Sequence, residues 1–386
     1  MVPYRELKKR IDRDRARKAE KRKQIRLEDV FTPRHYVKCL KKCRKGVSFK
    51  LSVQKYTAKP LEIMMDDCDS LRAGIAPMVA SNKKVIIRER GHRREITPIV
   101  IRDRMNQRVL CDYALTPEVS RRLIYDNGAS SPGKGVGFAR KRFNAMMEQA
   151  KRQWGGEFYA LCFDFEHFFD SIPHRLCFEE LDRCFTDPRL RDVTMQIIES
   201  YQALGADDKI REKLARHEGV GVCLGSHVSQ LMALCVPNFL DHYLKDVRRV
   251  RFYIRYMDDG VILHRDREYL QQLLGEIRRV CAEKGLRLKE KKTRIIPMKQ
   301  GFTFLKIRYR VKEMKTIRRL CRADVKRMRR RLKRFLHLME RGKMTLEMAQ
   351  ASLQSWMGHT YHAMAYRQRK RMAGLYEGLY GRRWAV

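Results

Sequence analysis

The chain has 386 residues, among which 86 Lys and Arg outnumber 45 Asp and Glu, so that its formal net charge is +41. This excess predicts a polyanionic partner, with nucleic acid as the first candidate. The hydrophobic content of 44% allows a folded core, whereas no apolar run approaches the roughly 20 residues that cross a bilayer. Eleven cysteines without a Cys-x-x-Cys pair indicate reduced thiols, so we expect a folded cytoplasmic protein that binds no membrane.

The N-terminal segment is the most basic part of the sequence. Residues 1–28 carry twelve Lys or Arg and few apolar side chains. We therefore predict a basic N-terminal extension over residues 1–29. Such a segment is either a solvated helix or an arm that orders on RNA, and its charge pattern favours neither. Just beyond it, His35, Cys39 and Cys43 share a predicted helical face. Without a fourth ligand, a core position is favoured over a zinc site.

Two later segments predict strands. Residues 84–96 read as two strands around a turn at Gly91 and His92. Residues 158–163 read as a buried apolar strand that ends at Asp164. A carboxylate there is costly to bury unpaired, so it requires a cation or a hydrogen-bond partner. Asp170, by contrast, is better explained as a turn or N-cap residue.

A second acidic position lies at the tip of a predicted hairpin. Apolar residues flank the run Tyr256–Gly260, and Asp-Gly is a common turn signal between two strands. On its own, the pair Asp258 and Asp259 is equally well explained as a polar turn. Together with Asp164 it predicts three clustered carboxylates, whose mutual repulsion is relieved by two divalent cations. Mg²⁺ is expected, with Mn²⁺ as an alternative.

The C-terminal part of the sequence has a helical pattern. Apolar residues from Val325 to Met339 follow a heptad-like spacing, and basic residues cover the other faces. We predict an apolar stripe toward a helical bundle and a basic face toward phosphates. Each phosphate that is neutralised adds about 0.9 to the slope of log affinity against log salt concentration. The basic residues predicted to contact nucleic acid are Lys326, Arg329, Arg330 and Lys333.

Several motifs resemble those of reverse transcriptases, in particular the prokaryotic enzymes found in retroelements. The runs FDFEHFFDSI (163–172) and RYMDD (255–259) are similar to motifs A and C of this family. Two fingers motifs, motif B, motif D, the primer-grip hairpin and a thumb motif correspond, in chain order, to residues 94–115, 122–139, 220–230, 285–293, 301–309 and 355–362. The order and spacing of the motifs make the resemblance specific.

The resemblance implies an α+β fold of the right-hand polymerase type, with an antiparallel palm sheet and a helical thumb. It divides the chain into fingers (30–150), palm (151–310) and a helical basic thumb (311–386). It also implies RNA-directed DNA synthesis from dNTPs, in which the catalytic metal ligands are Asp164, Asp258 and Asp259.

Other site residues follow from the same resemblance. Phe169 lies where the family keeps its steric gate against a ribose 2′-hydroxyl, and Phe168 is assigned to the core. Gln230 corresponds to a position beside the nascent base pair, and Arg94 and Lys292 are candidates for contact with the triphosphate. In the hairpin that resembles a primer grip, Lys306 stands where relatives usually have Gly.

The biological context stays open at this point. The pair Ser229-Gln230 resembles the polymerases of diversity-generating retroelements, and a defence-associated bacterial reverse transcriptase fits equally well. Either context implies a structured non-coding RNA as template and cDNA as product, and an accessory protein or a homo-oligomer is compatible with both. An RNA-dependent RNA polymerase is an alternative function, against which Phe169 argues. A non-catalytic, maturase-like RNA-binding protein is a further alternative, but it would not need three carboxylates.

Overall fold

The computed structural model describes residues 25–77, 85–89, 92–203 and 206–384, so most of the predicted N-terminal extension lies outside the described residues. Helices and antiparallel strands alternate along the described chain, which confirms the predicted α+β class. The described helices are Leu27–Val30 (α1), Pro33–Arg44 (α2), Leu51–Ala58 (α3), Pro60–Arg72 (α4), Ile101–Leu110 (α5), Thr116–Arg122 (α6), Val136–Trp154 (α7), Phe168–Ser171 (α8), His174–Cys184 (α9), Pro188–Ala203 (α10), Asp208–Ala215 (α11), His227–Cys235 (α12), Asn238–His242 (α13), Arg267–Glu283 (α14), Arg322–Glu340 (α15), Leu346–Thr360 (α16) and Tyr366–Tyr380 (α17). Two π-helical turns, Cys111–Leu115 and Tyr243–Val247, follow α5 and α13.

The described strands form three antiparallel sheets. The strands are Val85–Glu89 (β1), His92–Ile96 (β2), Tyr159–Phe163 (β3), Tyr253–Tyr256 (β4), Asp259–His264 (β5), Arg294–Pro297 (β6), Phe302–Phe304 (β7), Ile307–Lys312 (β8) and Lys315–Leu320 (β9). One sheet is the hairpin of β1 and β2, the second has four strands in the order β4-β5-β3-β6, and the third has three strands in the order β7-β8-β9.

The chain folds into two compact units. The first contains the chain as far as Arg122 together with Phe169–Val236, and the second contains Leu123–Phe168 together with the chain from Pro237 onward. Each unit is therefore assembled from two separate stretches of sequence. The predicted boundary between fingers and palm, at residue 150, falls inside α7. The division of the chain into fingers, palm and thumb stays a prediction.

The first unit is mainly helical. α2 begins where the Thr32 side chain accepts a hydrogen bond from the backbone of His35, which satisfies one free N–H of the first turn. The buried Tyr36 of α2 donates a hydrogen bond of 2.6 Å to Asn106 of α5 and so links the two helices. His35 itself stacks on Tyr113 with the ring centroids 3.5 Å apart.

The hairpin of the first unit has the two predicted strands. β1 and β2 pair from Val85 opposite Ile96 to Glu89 opposite His92. His92 therefore belongs to the strand, and the predicted turn residue Gly91 lies outside the described residues.

The four-stranded sheet forms the centre of the second unit. β3 is an inner strand, with Phe163 opposite Gly260 of β5 and Tyr159 opposite Pro297 of β6. Its apolar side chains are mostly buried, as a run of consecutive apolar residues predicts for an inner strand covered by helices. α7 packs against β4 and β5, and α14 packs against β3, β5 and β6.

The three-stranded sheet shares its core with α7. The ring of Phe143 on α7 makes edge contacts with Phe304 and Tyr309, at centroid distances of 5.1 and 4.8 Å. Buried residues of β7, β8 and β9 belong to the same apolar cluster as those of β3, β4 and β5. One core therefore supports both sheets of this unit.

The C-terminal helices α15 to α17 have a smaller core of their own. Met328 and Leu332, from the predicted apolar stripe of α15, are buried in it together with residues of α16 and α17. The predicted nucleic-acid contacts on α15 are exposed: Lys326, Arg329, Arg330 and Lys333. Among the described residues, no helix combines the length and the apolar character that a membrane crossing requires.

Candidate active site

Three aspartates come together at one edge of the four-stranded sheet. β3 ends at Phe163, which lies opposite Gly260, so the next residue, Asp164, continues to the level of Asp259. β4 and β5 form a hairpin, and Asp258 lies in the turn that connects them. The strand pairing alone therefore brings together carboxylates that are more than 90 residues apart in sequence.

Burial and mutual repulsion dominate the electrostatics of this aspartate cluster. Asp164 is 3% exposed, and the other two side chains are half-buried. Burial, followed by the charges of Asp164 and Asp259, raises the pKa of Asp258 to about 7. Burial and Asp164 likewise raise the pKa of Asp259 to about 6. Additional positive charge among these oxygens is therefore favourable at neutral pH.

Lys292 supplies one positive charge to the cluster. Its Nζ forms an ion pair with Oδ2 of Asp164. Burial is the largest single influence and acts to lower the pKa of Lys292, but the hydrogen bond to Asp164 and the charges of the three aspartates together raise that pKa. The preceding segment is fixed to the end of β3, because the N–H of Lys289 donates to the carbonyl of Asp164 at 2.7 Å. The segment that resembles motif D thus places Lys292 beside the first carboxylate.

The turn that carries Asp258 differs from the Asp-Gly turn expected from the sequence. Met257 and Asp258 are the turn residues, whereas Asp259 and Gly260 already belong to β5. Met257 has a φ of +56°, a conformation that costs about 1–3 kcal/mol for a residue other than Gly. Gly260 is required for space instead, because a Cβ there would overlap the ring of Phe163 on β3.

A buried ion pair supports this turn. The side chains of Arg255 and Asp241 are fully buried and form two hydrogen bonds, of 2.8 and 2.6 Å. The Tyr253 hydroxyl donates to the same carboxylate at 2.7 Å. Nη1 of Arg255 donates to the carbonyl of Met257 at 2.8 Å. Arg255 was not among the site residues predicted from the sequence, although an arginine inside an apolar strand is a visible signal.

A cleft of about 360 Å³ opens beside the aspartate cluster. Asp164 and Asp259 line it together with three cationic residues, Lys292, Arg294 and Arg308. Carboxylates beside cationic side chains suit a phosphate-bearing ligand that is held partly through a divalent cation and partly through direct charge contacts.

The turn between β7 and β8, which resembles a primer grip, is also unusual. Leu305 and Lys306 have φ values of +46° and +68°, the pattern of a hairpin turn in which Gly is the usual residue. Lys306 therefore adopts a backbone conformation that Gly adopts more readily than other residues. The buried Arg140 of α7 holds this turn, because its Nε donates to the carbonyl of Leu305 at 3.2 Å and its Nη1 to that of His359 at 3.3 Å.

The other predicted nucleotide contacts belong to the first unit. Phe168, assigned to the core, is buried and stacks on Phe165 with the centroids 5.0 Å apart. Phe169 is half-buried, and Gln230 is exposed in the first turn of α12. Arg94 lies on β2, and its side chain lies outside what the structure describes. The functional roles of Phe169, Gln230 and Arg94 stay predictions.

The chemistry of the aspartate cluster fits a divalent cation. Within the described ranges of the chain, no three His, Cys, Asp or Glu side chains are arranged to hold a metal ion as they stand. However, burial and mutual repulsion raise the pKa of Asp258 and of Asp259, and Lys292 already brings a positive charge to Asp164. Hard oxygen donors that already attract positive charge are the donor set that Mg²⁺ and Mn²⁺ prefer.

Residues 129–309, which include the aspartate cluster and Lys292, match the family described as reverse transcriptase (RNA-dependent DNA polymerase). No curated protein matches the chain.

Solved telomerase structures are similar to parts of the chain. The structure of apo telomerase from Candida tropicalis, truncated from its C-terminal domain, has 11% identity and a TM-score of 0.46, covering 61% of this chain and 54% of that one. Telomerase from Candida albicans in complex with a TWJ fragment of telomeric RNA has 13% identity and a TM-score of 0.44, covering 64% of this chain and 48% of that one. The chain thus spans about half the length of these two structures.

Proposed function

We propose that this chain, whose residues 129–309 match the reverse transcriptase family, is an RNA-directed DNA polymerase in which Asp164, Asp258 and Asp259 hold two Mg²⁺ ions while a primer is extended with dNTPs. The observation that carries the proposal is the convergence of three carboxylates at the edge formed by the end of β3 and the β4–β5 turn. When bound, the two ions would supply Lewis-acid stabilisation of the triphosphate and would activate the attacking 3′-hydroxyl.

The protein groups have separate tasks in this proposal. The positive φ of Met257 and the hydrogen bond that its carbonyl accepts from Arg255 fix the turn. Asp258 is therefore already positioned to bind the cations, without further ordering of the chain. Lys292 would exchange its bond with Asp164 for a phosphate oxygen of the incoming nucleotide, because Lys292 and Asp164 line the cleft in which the nucleotide is proposed to bind. Phe169 excludes a ribose 2′-hydroxyl, as its place in motif A suggests.

Partner recognition rests on the remaining predicted residues. Arg94 would contact the triphosphate and Gln230 the nascent base pair. The exposed basic face of α15 would bind the phosphates of the template–primer duplex, as the excess of 86 basic over 45 acidic residues favours. We further propose a bacterial cytoplasmic setting, in a retroelement or in antiphage defence, with a structured non-coding RNA as template. The form of motif B around Ser229-Gln230 supports the retroelement, and the basic N-terminal extension suits antiphage defence.

The test is the double substitution Asp258→Asn/Asp259→Asn. It keeps the size and polarity of both side chains but removes the charges that hold the cations, so primed dNTP incorporation on an RNA template should fall by about a thousandfold or more. RNA affinity, measured on the same preparation, should change little because it derives from distributed Lys and Arg.

The chain offers a matched control in a second pair of adjacent aspartates, Asp207 and Asp208 of α11. Asp207 caps that helix, a role that Asn also fills, and Asp208 is 97% exposed. The control double substitution should keep full activity. Near-normal incorporation by the Asp258→Asn/Asp259→Asn variant would refute the proposed metal site. A parallel loss of RNA affinity would show that these carboxylates serve the fold.

A further inference from the structure

An exposed aromatic surface lies on the connection between α16 and α17. Tyr361 is 63% exposed, Met364 is 58% exposed and Tyr366 is 62% exposed. Three large side chains within six residues therefore face solvent, although burial of each would be favourable. Such a concentration of exposed apolar surface indicates a binding site more often than chance.

The connection that carries these side chains is firmly anchored. Ala363 and Ala365, which alternate with the exposed residues, are buried in the core of the second unit. The backbone N–H of Met364 donates to the carbonyl of Arg318 on β9 at 2.7 Å, and that of Ala363 donates to the carbonyl of Thr360 at 3.0 Å. The rings are thus presented on an ordered backbone, which lowers the entropy that a ligand must offset.

A guanidinium group lies against both rings. The Cζ atom of Arg369 is 4.5 Å from the ring centroid of Tyr361 and 6.0 Å from that of Tyr366. Such contacts orient a ring and a planar cation with respect to each other. The Arg369 side chain is half-buried, so its guanidinium is held in place beside the rings. The surface therefore combines two exposed rings with the positive charge of Arg369.

The surroundings of these rings are cationic. The first turn of α17 contains no acidic residue, and its N-terminal end attracts negative charge. Burial, followed by the charges of Arg140 and Arg318, lowers the pKa of His362. Exposed basic side chains follow on α17, at Arg367, Lys370 and Arg371. A ligand for this surface should therefore carry aromatic faces and negative charge, a combination that nucleotides provide.

We propose that Tyr361, Arg369 and Tyr366 form a platform on which unpaired bases of single-stranded nucleic acid stack. The bases lie against the two tyrosine rings, and the neighbouring phosphates meet the basic residues of α17. The inference rests on nucleic acid being the partner of this polymerase, but it does not depend on the aspartate cluster. It adds a site for nucleotides that lie outside the base-paired template–primer.

The experiment compares Tyr361→Leu/Tyr366→Leu with Tyr361→Phe/Tyr366→Phe in the full chain. Leu keeps apolar bulk and removes the π face, whereas Phe keeps the π face and removes only the hydroxyl. Binding is measured with unstructured RNA and DNA strands of about 12 nucleotides that contain 2-aminopurine, whose fluorescence reports stacking, and with duplexes of equal length. Phe49→Leu, at a ring that is 73% exposed elsewhere on the chain, serves as the control.

The Leu variant should bind single strands about 5- to 150-fold more weakly for each base that loses its stacking partner, and the quenching of 2-aminopurine should be lost. The slope of affinity with salt should stay unchanged, because no charge is removed. The Phe variant and the Phe49→Leu control should bind as the parent chain does. A preference for RNA or for DNA strands would identify which strand the platform holds.

Three outcomes would overturn the proposal. Unchanged single-strand affinity of the Leu variant would show that the rings bind no bases, and an equal loss for duplexes would exclude a site for unpaired bases. Unchanged affinity together with loss of self-association in the ultracentrifuge would assign the surface to a second copy of the chain. Primer extension on a fully duplexed primer–template, measured in parallel, separates failure of the platform from failure of the proposed polymerase function.

Discussion

Replacing Arg255 by Met removes the guanidinium that supports the turn of the aspartate cluster. The Asp241 carboxylate then stays buried with the Tyr253 hydroxyl as a donor but without its cation. Breaking such a buried pair costs about 3–5 kcal/mol. Domains have about 5–15 kcal/mol of total stability, so we expect the Arg255→Met chain to unfold at a much lower urea concentration.

Arg255→Lys separates stability from positioning. The ammonium group keeps the charge beside Asp241, but it cannot reproduce the planar fork that reaches the carboxylate and the Met257 carbonyl together. Loss of one hydrogen bond from a charged donor costs about 1.5–3 kcal/mol. Because Met257 then keeps its positive φ without that bond, Asp258 should lose its fixed position, and dNTP incorporation should fall by about tenfold or more while the chain is still folded.

Urea unfolding gives the stability, and single-turnover dNTP incorporation is measured well below the unfolding transition. The control is Arg278→Lys, since Arg278 also forms two hydrogen bonds with a carboxylate, that of Glu290, but the two side chains are 45% and 68% exposed. That change should cost less than about 1 kcal/mol and leave incorporation intact. If Arg255→Lys lowers stability but incorporates dNTPs at the parent rate, the ion pair serves the fold alone and the positioning role is wrong.

Three further predictions concern the same chain. Gly260→Ala should lower Tm, because the added methyl group would overlap the ring of Phe163 and such overpacking costs about 1–3 kcal/mol. Gly275→Ala, in open space on α14, should raise Tm because Ala favours a helix over Gly. An equal effect of both substitutions would contradict the close contact between Gly260 and Phe163. Phe169→Ala should raise the use of rNTPs relative to dNTPs by about 10- to 200-fold, and an unchanged ratio with both rates reduced would make Phe169 a core residue. Burial, followed by the charge of Arg140, lowers the pKa of His359 to about 4, so the unfolded chain binds the additional proton as pH falls from about 6.5 to about 4. The free energy of unfolding should therefore decrease over that interval, by at most about 3 kcal/mol, and His359→Gln should remove this part of the pH dependence in urea titrations.

The sequence by itself located the aspartate cluster. Asp164 ends an apolar run, and Asp258 and Asp259 lie between two others, so local patterns were sufficient to predict a strand end and a hairpin at those positions. The apolar stripe of α15 was likewise visible, because helical periodicity is a local property, and Met328 and Leu332 are buried as that pattern predicts.

Tertiary structure decided which side chains meet. Gly260 looked like a turn residue because Asp-Gly commonly forms turns, but its role depends on the ring of Phe163, a contact across strands almost 100 residues apart. The pairing of Lys292 with Asp164 has the same origin, since it requires the segment after α14 to bond to the end of β3.

The division of the chain into two units also depends on contacts between distant parts of the sequence. Phe169 and Gln230, whose roles were assigned from motif order and stay predictions, belong to the first unit, whereas Asp164 belongs to the second. Periodicity reports whether a side chain faces the core, because that depends on a few neighbouring residues. It does not report which side chain the residue contacts, because such contacts depend on strand order and on loops that join distant parts of the chain. Local chemistry was therefore readable from the sequence, and only the fold determined which groups act together.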